Sequence, residues 1–369
     1  MDKIWSQNLE RQLVSAFVEA LKSLPTIAIL NVRENVRYRT STPPVEADAI
    51  VQIEVNEKPV TLLIEAKSSV FPRDARELIW QLRSLQKAFS ASEGVEQALP
   101  VIASRSLSDG TKSFLRSENV GYFEEGGSLH LANPNLYILL EKPPSKRALQ
   151  TSRTLFSGRR SQVLHALLQQ PGSWQTVREL SEKAFVSAST VSQVLVELEK
   201  REWVSSRGSG PHKERQLQEP NSLLDAWSKH VAALPKPPAK RFFVPSMKAE
   251  ELMNRIGQIG NARGGMYAIT GEWAAQIYAP FLSSISQVRC RYALNQSISE
   301  FASELNASEV NEGSNLVLLE PKSYGEFLFR EEQRGIWLAS PIVVYLDLAQ
   351  GDGRAKEMAE HLRRERIRF

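Results

Sequence analysis

Residues 159–217 read RRSQVLHALLQQPGSWQTVRELSEKAFVSASTVSQVLVELEKREWVSSRGSGPHKERQL. Val163, Leu164, Leu167 and Leu168 recur at the spacing of one helical stripe, and Pro171-Gly172 ends the segment. Thr176 with Glu179 forms a capping box that opens a second helix reaching Phe185. Ser187 and Ser189 restart the chain, and a third helix is expected from about Ser189 to Arg201, with Val191, Val194, Leu195 and Leu198 inward. Ser187, Ser189, Thr190, Ser192 and Gln193 cluster at its start. These small or hydrogen-bonding side chains can reach base edges and phosphates when a helix N-terminus enters a major groove. Two strand-like pieces then flank a Gly/Pro tip, and Arg207, Lys213 and Arg215 are placed as phosphate-facing cations of a hairpin.

Over its whole length, Arg159 to Leu217, this stretch resembles the winged-helix transcription-regulator superfamily, which implies duplex DNA as partner. The same three helices would also serve a small domain used for protein contacts. Working outward, 369 residues bound the chain to two or three domains. Cys290 is the one cysteine, which excludes an internal disulfide, fits a reducing, cytoplasmic setting and, with five scattered His, leaves no zinc finger. No apolar run is long enough to span a bilayer and the first residues carry no apolar signal core, so no membrane association is expected. A net charge of +4 is mild and leaves nucleic acid open as a partner.

Residues 1–142 read as an α/β domain. Leu9, Leu13, Phe17, Leu21 and Leu24 mark a helix over 6–24, and a strand over Ile27–Val32 follows. Val36–Thr40 fits a strand or a loop. Two strands, Ala47–Val55 and Val60–Lys67, flank the turn at Asn56-Glu57-Lys58. A helix over 72–90, a buried strand over 99–104, a short helix over 109–117 and two last strands around Glu124-Glu125-Gly126-Gly127 complete it. Asp48 lies on one strand of the hairpin and Glu65 and Lys67 share a face of the other, since strand side chains repeat every two residues. Two convergent carboxylates can hold Mg²⁺, and a neighbouring lysine can orient water or offset charge on a phosphate. This arrangement resembles the PD-(D/E)xK, or restriction-endonuclease-like, fold. The resemblance implies catalytic roles for Asp48, Glu65 and Lys67, Mg²⁺ on Asp48 and Glu65, and auxiliary roles for Glu10 and Gln81. Ala47 stands where many members carry proline. An alternating strand whose Glu65 and Lys67 simply pair with each other is the alternative.

Residues 143–158 read as a basic, Pro-containing linker and 159–232 as the winged helix-turn-helix domain. Residues 233–369 form a further α/β domain, so the fold class is α/β multidomain. Within it, Tyr267–Ala275, Ala339–Leu348 and Gly353-Arg354 leading to Ala359–Arg363 resemble the AbiEi-like antitoxins of type IV toxin–antitoxin systems. That resemblance implies a DNA-binding transcriptional regulator that neutralises a partner toxin. The N-terminal domain departs from the short antitoxins. No catalytic constellation is legible in this last domain: Gly264-Gly265 reads as a tight turn, Cys290 as an unactivated strand thiol, and Arg363–Arg368 as a cationic helix end that could meet phosphate. Three functions follow as expectations: a DNA-binding, antitoxin-like regulator acting as a homodimer on paired half-sites, a Mg²⁺-dependent DNA endonuclease targeted by the winged helix, and a protein-binding scaffold for a toxin.

Overall fold

Asn56 and Glu57 both adopt left-handed backbone, with φ of 49° and 61°. Two such residues make the tight turn whose twist matches that of paired strands, and they close a hairpin between β2 (Val45–Val55) and β3 (Lys58–Lys67). The computed structural model describes residues 2–38, 45–94, 98–142, 155–262, 266–282, 284–293 and 298–369. The chain divides into two compact units, Met1–Ser152 with Glu197–Glu202, and Arg153–Val196 with Trp203–Phe369.

In the first unit the hairpin supplies the second and third strands of a seven-stranded sheet in simple sequential order. Its other strands are β1 (Ile27–Tyr38), β4 (Ala98–Ser104), β5 (Gly121–Glu124), β6 (Leu129–Asn133) and β7 (Leu136–Leu140). β3, β4 and β5 run parallel and the remaining neighbours antiparallel. α1 (Asp2–Lys22) covers one face, where Leu13, Phe17 and Leu21 pack on Val51, Leu62, Ile64 and Val101. α2 (Pro72–Glu93) covers the other, where Leu78, Leu82 and Phe89 meet Ile50, Leu63, Ile102 and Tyr122, and α3 (Asp109–Ser117) adds Leu115 to the same core. β3 and β4 are thus buried on both faces, which accounts for their nearly continuous apolar sequence. Three readings change. Ile27–Tyr38 is one strand with an irregularity between Ile29 and Asn31, not a strand followed by a second piece. Leu136–Leu140 adds an edge strand beyond the two expected last ones. Thr40 and much of the expected linker lie outside the described residues, but Leu155 and Phe156 are buried, so the second unit's core begins before Arg159.

The second unit joins the winged helix to the C-terminal sheet. Its first part is α4 (Gly158–Gln169), β8 (Gln175–Thr176), α5 (Val177–Ala184), α6 (Ala188–Lys200), β9 (Val204–Arg207), β10 (Glu214–Leu217) and α7 (Pro220–Ala232). The capping box is as read: Thr176 Oγ1 accepts from the Glu179 N–H, and Glu179 accepts from the Thr176 N–H at 2.7 Å. α7 opens on Pro220, whose missing N–H costs the first turn nothing, and has no side-chain cap bond.

The C-terminal part holds β11 (Ala239–Phe243), α8 (Ala249–Ala262), β12 (Met266–Thr270), α9 (Gly271–Tyr278), β13 (Val288–Ala293), α10 (Ile298–Glu304), β14 (Ser308–Glu309), β15 (Leu316–Leu319), β16 (Glu331–Gln333), β17 (Ile336–Leu338), α11 (Pro341–Ala349) and α12 (Arg354–Leu362). Its sheet order is β14-β11-β15-β13-β12-β17-β16. α8 approaches β12 closely because Gly260 has no side chain; a Cβ there would lie 2.3 Å from the Tyr267 ring. Gly264 and Gly265 lie outside the described residues.

Buried polar contacts tie the two parts of this unit together. The His165 ring of α4, almost without solvent, lies between Trp227 and Phe329 and meets the Ser340 hydroxyl through Nε2 at 2.7 Å. Ser340 is also the N-cap of α11, accepting from the Val343 N–H. Its own proton is then free for Nε2 of a neutral ring, and burial alone pushes the His165 pKa down to about 3.

Arg291 on β13 is likewise buried. It donates to both carboxylate oxygens of Asp347 on α11 and, at 2.9 Å, to Glu326, while Thr270 bonds the same aspartate. Asp347 and Glu326 hold the guanidinium charged against the burial that opposes it. The C-terminal cations are engaged in structure: Arg363 binds Asp225 and Asn221, and Arg366 binds Glu331. Among the described residues no helix is long and apolar enough to cross a membrane.

Candidate functional site

Two places bring together the side chains that the sequence singled out. The first is the start of α6. Ser187 Oγ accepts from the Thr190 N–H at 3.3 Å and lies 2.9 Å from Thr190 Oγ1, so Ser187 is the helix cap and its hydroxyl is used locally. Ser189 and Gln193 are exposed, and Thr190 and Ser192 half-buried on the flank of the same turns. Gln193 Oε1 accepts from Arg160 of α4 at 2.9 Å, which holds a cation beside the first turns of α6. The first turn carries no acidic residue, so the positive end of the helix dipole faces outward uncompensated. Phe185, in the turn between α5 and α6, sits at φ 53° and is 80% exposed.

The hairpin of β9 and β10 lies next in sequence. Arg207 stays at the surface, stacked 4.4 Å over the Trp174 ring and donating to Glu214 at 2.6 Å. Sequence reasoning missed Trp174, whose signal is only its place just before β8. Lys213 is half-exposed at the hairpin tip. Arg215 corrects the expectation of a phosphate contact: it is 8% exposed, and its guanidinium turns back to the Lys213 carbonyl. The cause is strand alternation, since Arg215 and Leu217 share the buried face of β10.

The second place is the end of the β2–β3 hairpin. Ala49 pairs with Ile64, which sets Asp48 opposite Glu65 on the α2 face of the sheet. The Ala66 N–H donates to Asp48 Oδ2 at 2.7 Å, and Lys67 Nζ donates to Glu65 Oε1 at 2.6 Å, with Asp48 Oδ2 4.0 Å from Nζ. Burial and then the Glu65 charge push the Asp48 pKa up to about 6, against the pull of the Ala66 N–H and Lys67. Burial works to lower the Lys67 pKa, but Glu65 and then Asp48 hold it above its ordinary value. Glu10 of α1 adds negative charge felt by both groups. Gln81, read as auxiliary, lies on the solvent side of α2.

Sequence reasoning missed a neighbouring buried pair. Glu124, 2% exposed, accepts from Lys112 Nζ at 2.7 Å and from the Leu107 N–H at 3.1 Å. It pairs through β4 with the same sheet end, since Ser104 is opposite Glu124 on one side and Lys67 on the other. The glycine turn after Glu124 hid it as a loop acid.

The donor set at this end suits Mg²⁺, which is often bound through one or two carboxylates together with water and phosphate oxygens. Asp48 and Glu65 supply two hard oxygen ligands, and the unfavourable burial of the Asp48 charge is what a cation relieves. Among the described residues no group of three or more His, Cys, Asp or Glu side chains is placed to hold a metal ion. Cys290 is buried, with its thiol pushed up to about 12 by burial, and so is inert as a nucleophile.

The raised Asp48 pKa makes a sign-definite prediction. Its folded-state pKa lies above the ordinary 3.8, so the folded state holds the proton more tightly and the site loses stability as pH rises from about 4 through 6. Asp48→Asn keeps an oxygen for the Ala66 N–H and removes the charge. Chemical melts of wild type and variant should coincide near pH 4 and differ near pH 8, the variant being more stable there by about 1–2 kcal/mol. Equal stability at both pH values would mean that Asp48 is solvated as an ordinary surface carboxylate.

Residues 156–215 match the MarR family. The match covers the winged helix and supports a DNA-binding, winged-helix regulator. No curated protein matches the chain, and no solved structure does.

Proposed function

We propose that this protein is a transcriptional regulator that grips duplex DNA through α6 and the β9–β10 hairpin. The observation that carries the reading is the acid-free first turn of α6, where Ser189, Thr190, Ser192 and Gln193 line a helix start that Arg160 flanks. Helix starts of this kind lie in the major groove in winged-helix and helix-turn-helix regulators. Arg207 and Lys213 contribute phosphate contacts from the hairpin, and a dimer reads paired half-sites. The test is a mobility-shift titration with the duplex upstream of the chain's own coding region, in the presence of competitor. A competition-resistant complex whose affinity falls steeply between 50 and 200 mM salt is expected; a folded protein with no such complex rejects the reading.

The resemblance of the C-terminal segments extends this to an antitoxin-like role, in which the chain also holds a toxin. The supporting residues, Tyr267–Ala275 and Ala339–Leu348, build β12, α9 and α11, the centre of that part of the fold. A nuclease-resistant pull-down of the product of the adjacent gene tests it.

A second reading has its own observation, the convergence of Asp48, Glu65 and Lys67 at one strand end. In a Mg²⁺-dependent endonuclease Asp48 and Glu65 would hold the metal, which supplies Lewis-acid stabilisation of a phosphate and an activated water. Lys67, held charged by Glu65, offsets negative charge at the phosphate. Mg²⁺-dependent cleavage abolished by both Asp48→Ala and Lys67→Ala is the expected result for that reading, and wild-type cleavage unchanged in both variants removes the assignment.

A further inference from the structure

α2 carries a second surface that the hairpin site does not use. Arg73, Arg76, Trp80, Arg83 and Lys87 are all exposed on this helix. At about 100° per residue their positions fall within an arc of roughly 80°. The opposite side is the buried one, with Leu78, Ile79, Leu82 and Leu85 against the sheet. Glu77 and Gln81 lie off the arc, so the stripe itself contains no acid. Trp80, at its centre, is 68% exposed, an unusual place for the largest apolar side chain. Arg76 is paired with Glu202 and stacks on Phe114, and Arg83 is paired with Glu118. Arg73 and Lys87 have no ion pair among the described residues.

We propose that this stripe binds single-stranded DNA, with an unpaired base stacked on Trp80 and the strand's phosphates running past Arg73 and Lys87. An exposed indole between cations offers what such a strand needs: a ring any base can stack on, and a positive track for the backbone. Duplex DNA keeps its bases stacked inward and has no use for an exposed indole. A solvated helix face would place charge, rather than tryptophan, at the centre of the stripe. The choice of DNA over RNA rests on the reading of the winged helix as a DNA binder.

The test uses the full chain and a 5′-labelled oligo-dT of about fifteen nucleotides, with affinity read by fluorescence anisotropy. Trp80→Ala is expected to weaken binding about tenfold, and Trp80→Phe to restore most of it. Lys87→Glu and Arg73→Glu are expected to weaken it and flatten the salt dependence. All three side chains are exposed, so each of the four variants keeps the wild-type thermal melt, and each keeps wild-type affinity for the upstream duplex. If the wild type binds the duplex but not oligo-dT, or Trp80→Ala and Lys87→Glu bind oligo-dT as the wild type does, the proposal is overturned and the winged-helix reading stands. A wild type that binds oligo-dT through Trp80 but not the duplex leaves this proposal intact and rejects the other. Trp80-dependent capture of a protein with no affinity for oligo-dT also overturns it.

Discussion

Asp347→Ala is expected to be among the most damaging single substitutions in the second unit, costing about 3–5 kcal/mol, or about 10 °C in the melting midpoint of a unit this size. Arg291 is buried under α11 and gives both terminal nitrogens to Asp347. Truncating the aspartate leaves those nitrogens dehydrated and facing a cavity, with Glu326 as the guanidinium's remaining charged partner and the Thr270 hydroxyl as a neutral one. It also removes the acceptor of the Thr270 hydroxyl at the end of β12. The penalty comes from the abandoned charge more than from the lost bond. The double replacement of Arg291→Met with Asp347→Leu should therefore cost less than Asp347→Ala alone, because it takes out both charges and keeps the volume. Calorimetric melts that resolve the two units decide this. A cost below about 1 kcal/mol for Asp347→Ala would show that water reaches the guanidinium, and would put the burial of this network in error.

That network marks the limit of what the sequence discloses. Signals that act within a few residues were legible: the Thr176–Glu179 box, the hairpin turn at Asn56-Glu57, the stop at Pro171-Gly172, and Asp48 facing Glu65 across two strands. Each rests on local backbone geometry, which nearby residues dictate. Arg291 finds Asp347 across 56 positions and His165 finds Ser340 across 175, and no periodicity connects such pairs. The length of β1 was hidden because Asn31, Arg33 and Glu34 interrupt the apolar alternation. An edge strand tolerates polar side chains where a central one does not. β7 was missed for the opposite reason: LYILL is continuously apolar and too short to distinguish strand from helix. The burial of Arg215 was legible by position: period-two alternation puts it on the same face as the buried Leu217. Phe185 adopts the left-handed backbone that favours glycine after a helix, and nothing in its residue type announces that.

Ser189→Glu separates folding from binding, because the two respond to it with opposite sign. α6 has no acidic residue in its first turn. A carboxylate there meets the positive end of the helix dipole and stabilises the helix by a few tenths of a kcal/mol to about 1. Ser189 is exposed, so the longer side chain enters no core. On DNA the same carboxylate would stand against phosphates at the mouth of the groove, where like charge costs several kcal/mol. The expected result is a melting midpoint equal to or above the wild type's, with affinity for the upstream duplex lower by about 100-fold or more. Ser189→Ala, which removes one hydrogen-bonding group and adds no charge, should lose about tenfold or less. Affinities measured at one fixed salt concentration, alongside thermal melts, give both readouts on the same preparations. A folded Ser189→Glu protein that binds the duplex within threefold of wild type would place the nucleic acid elsewhere on the chain.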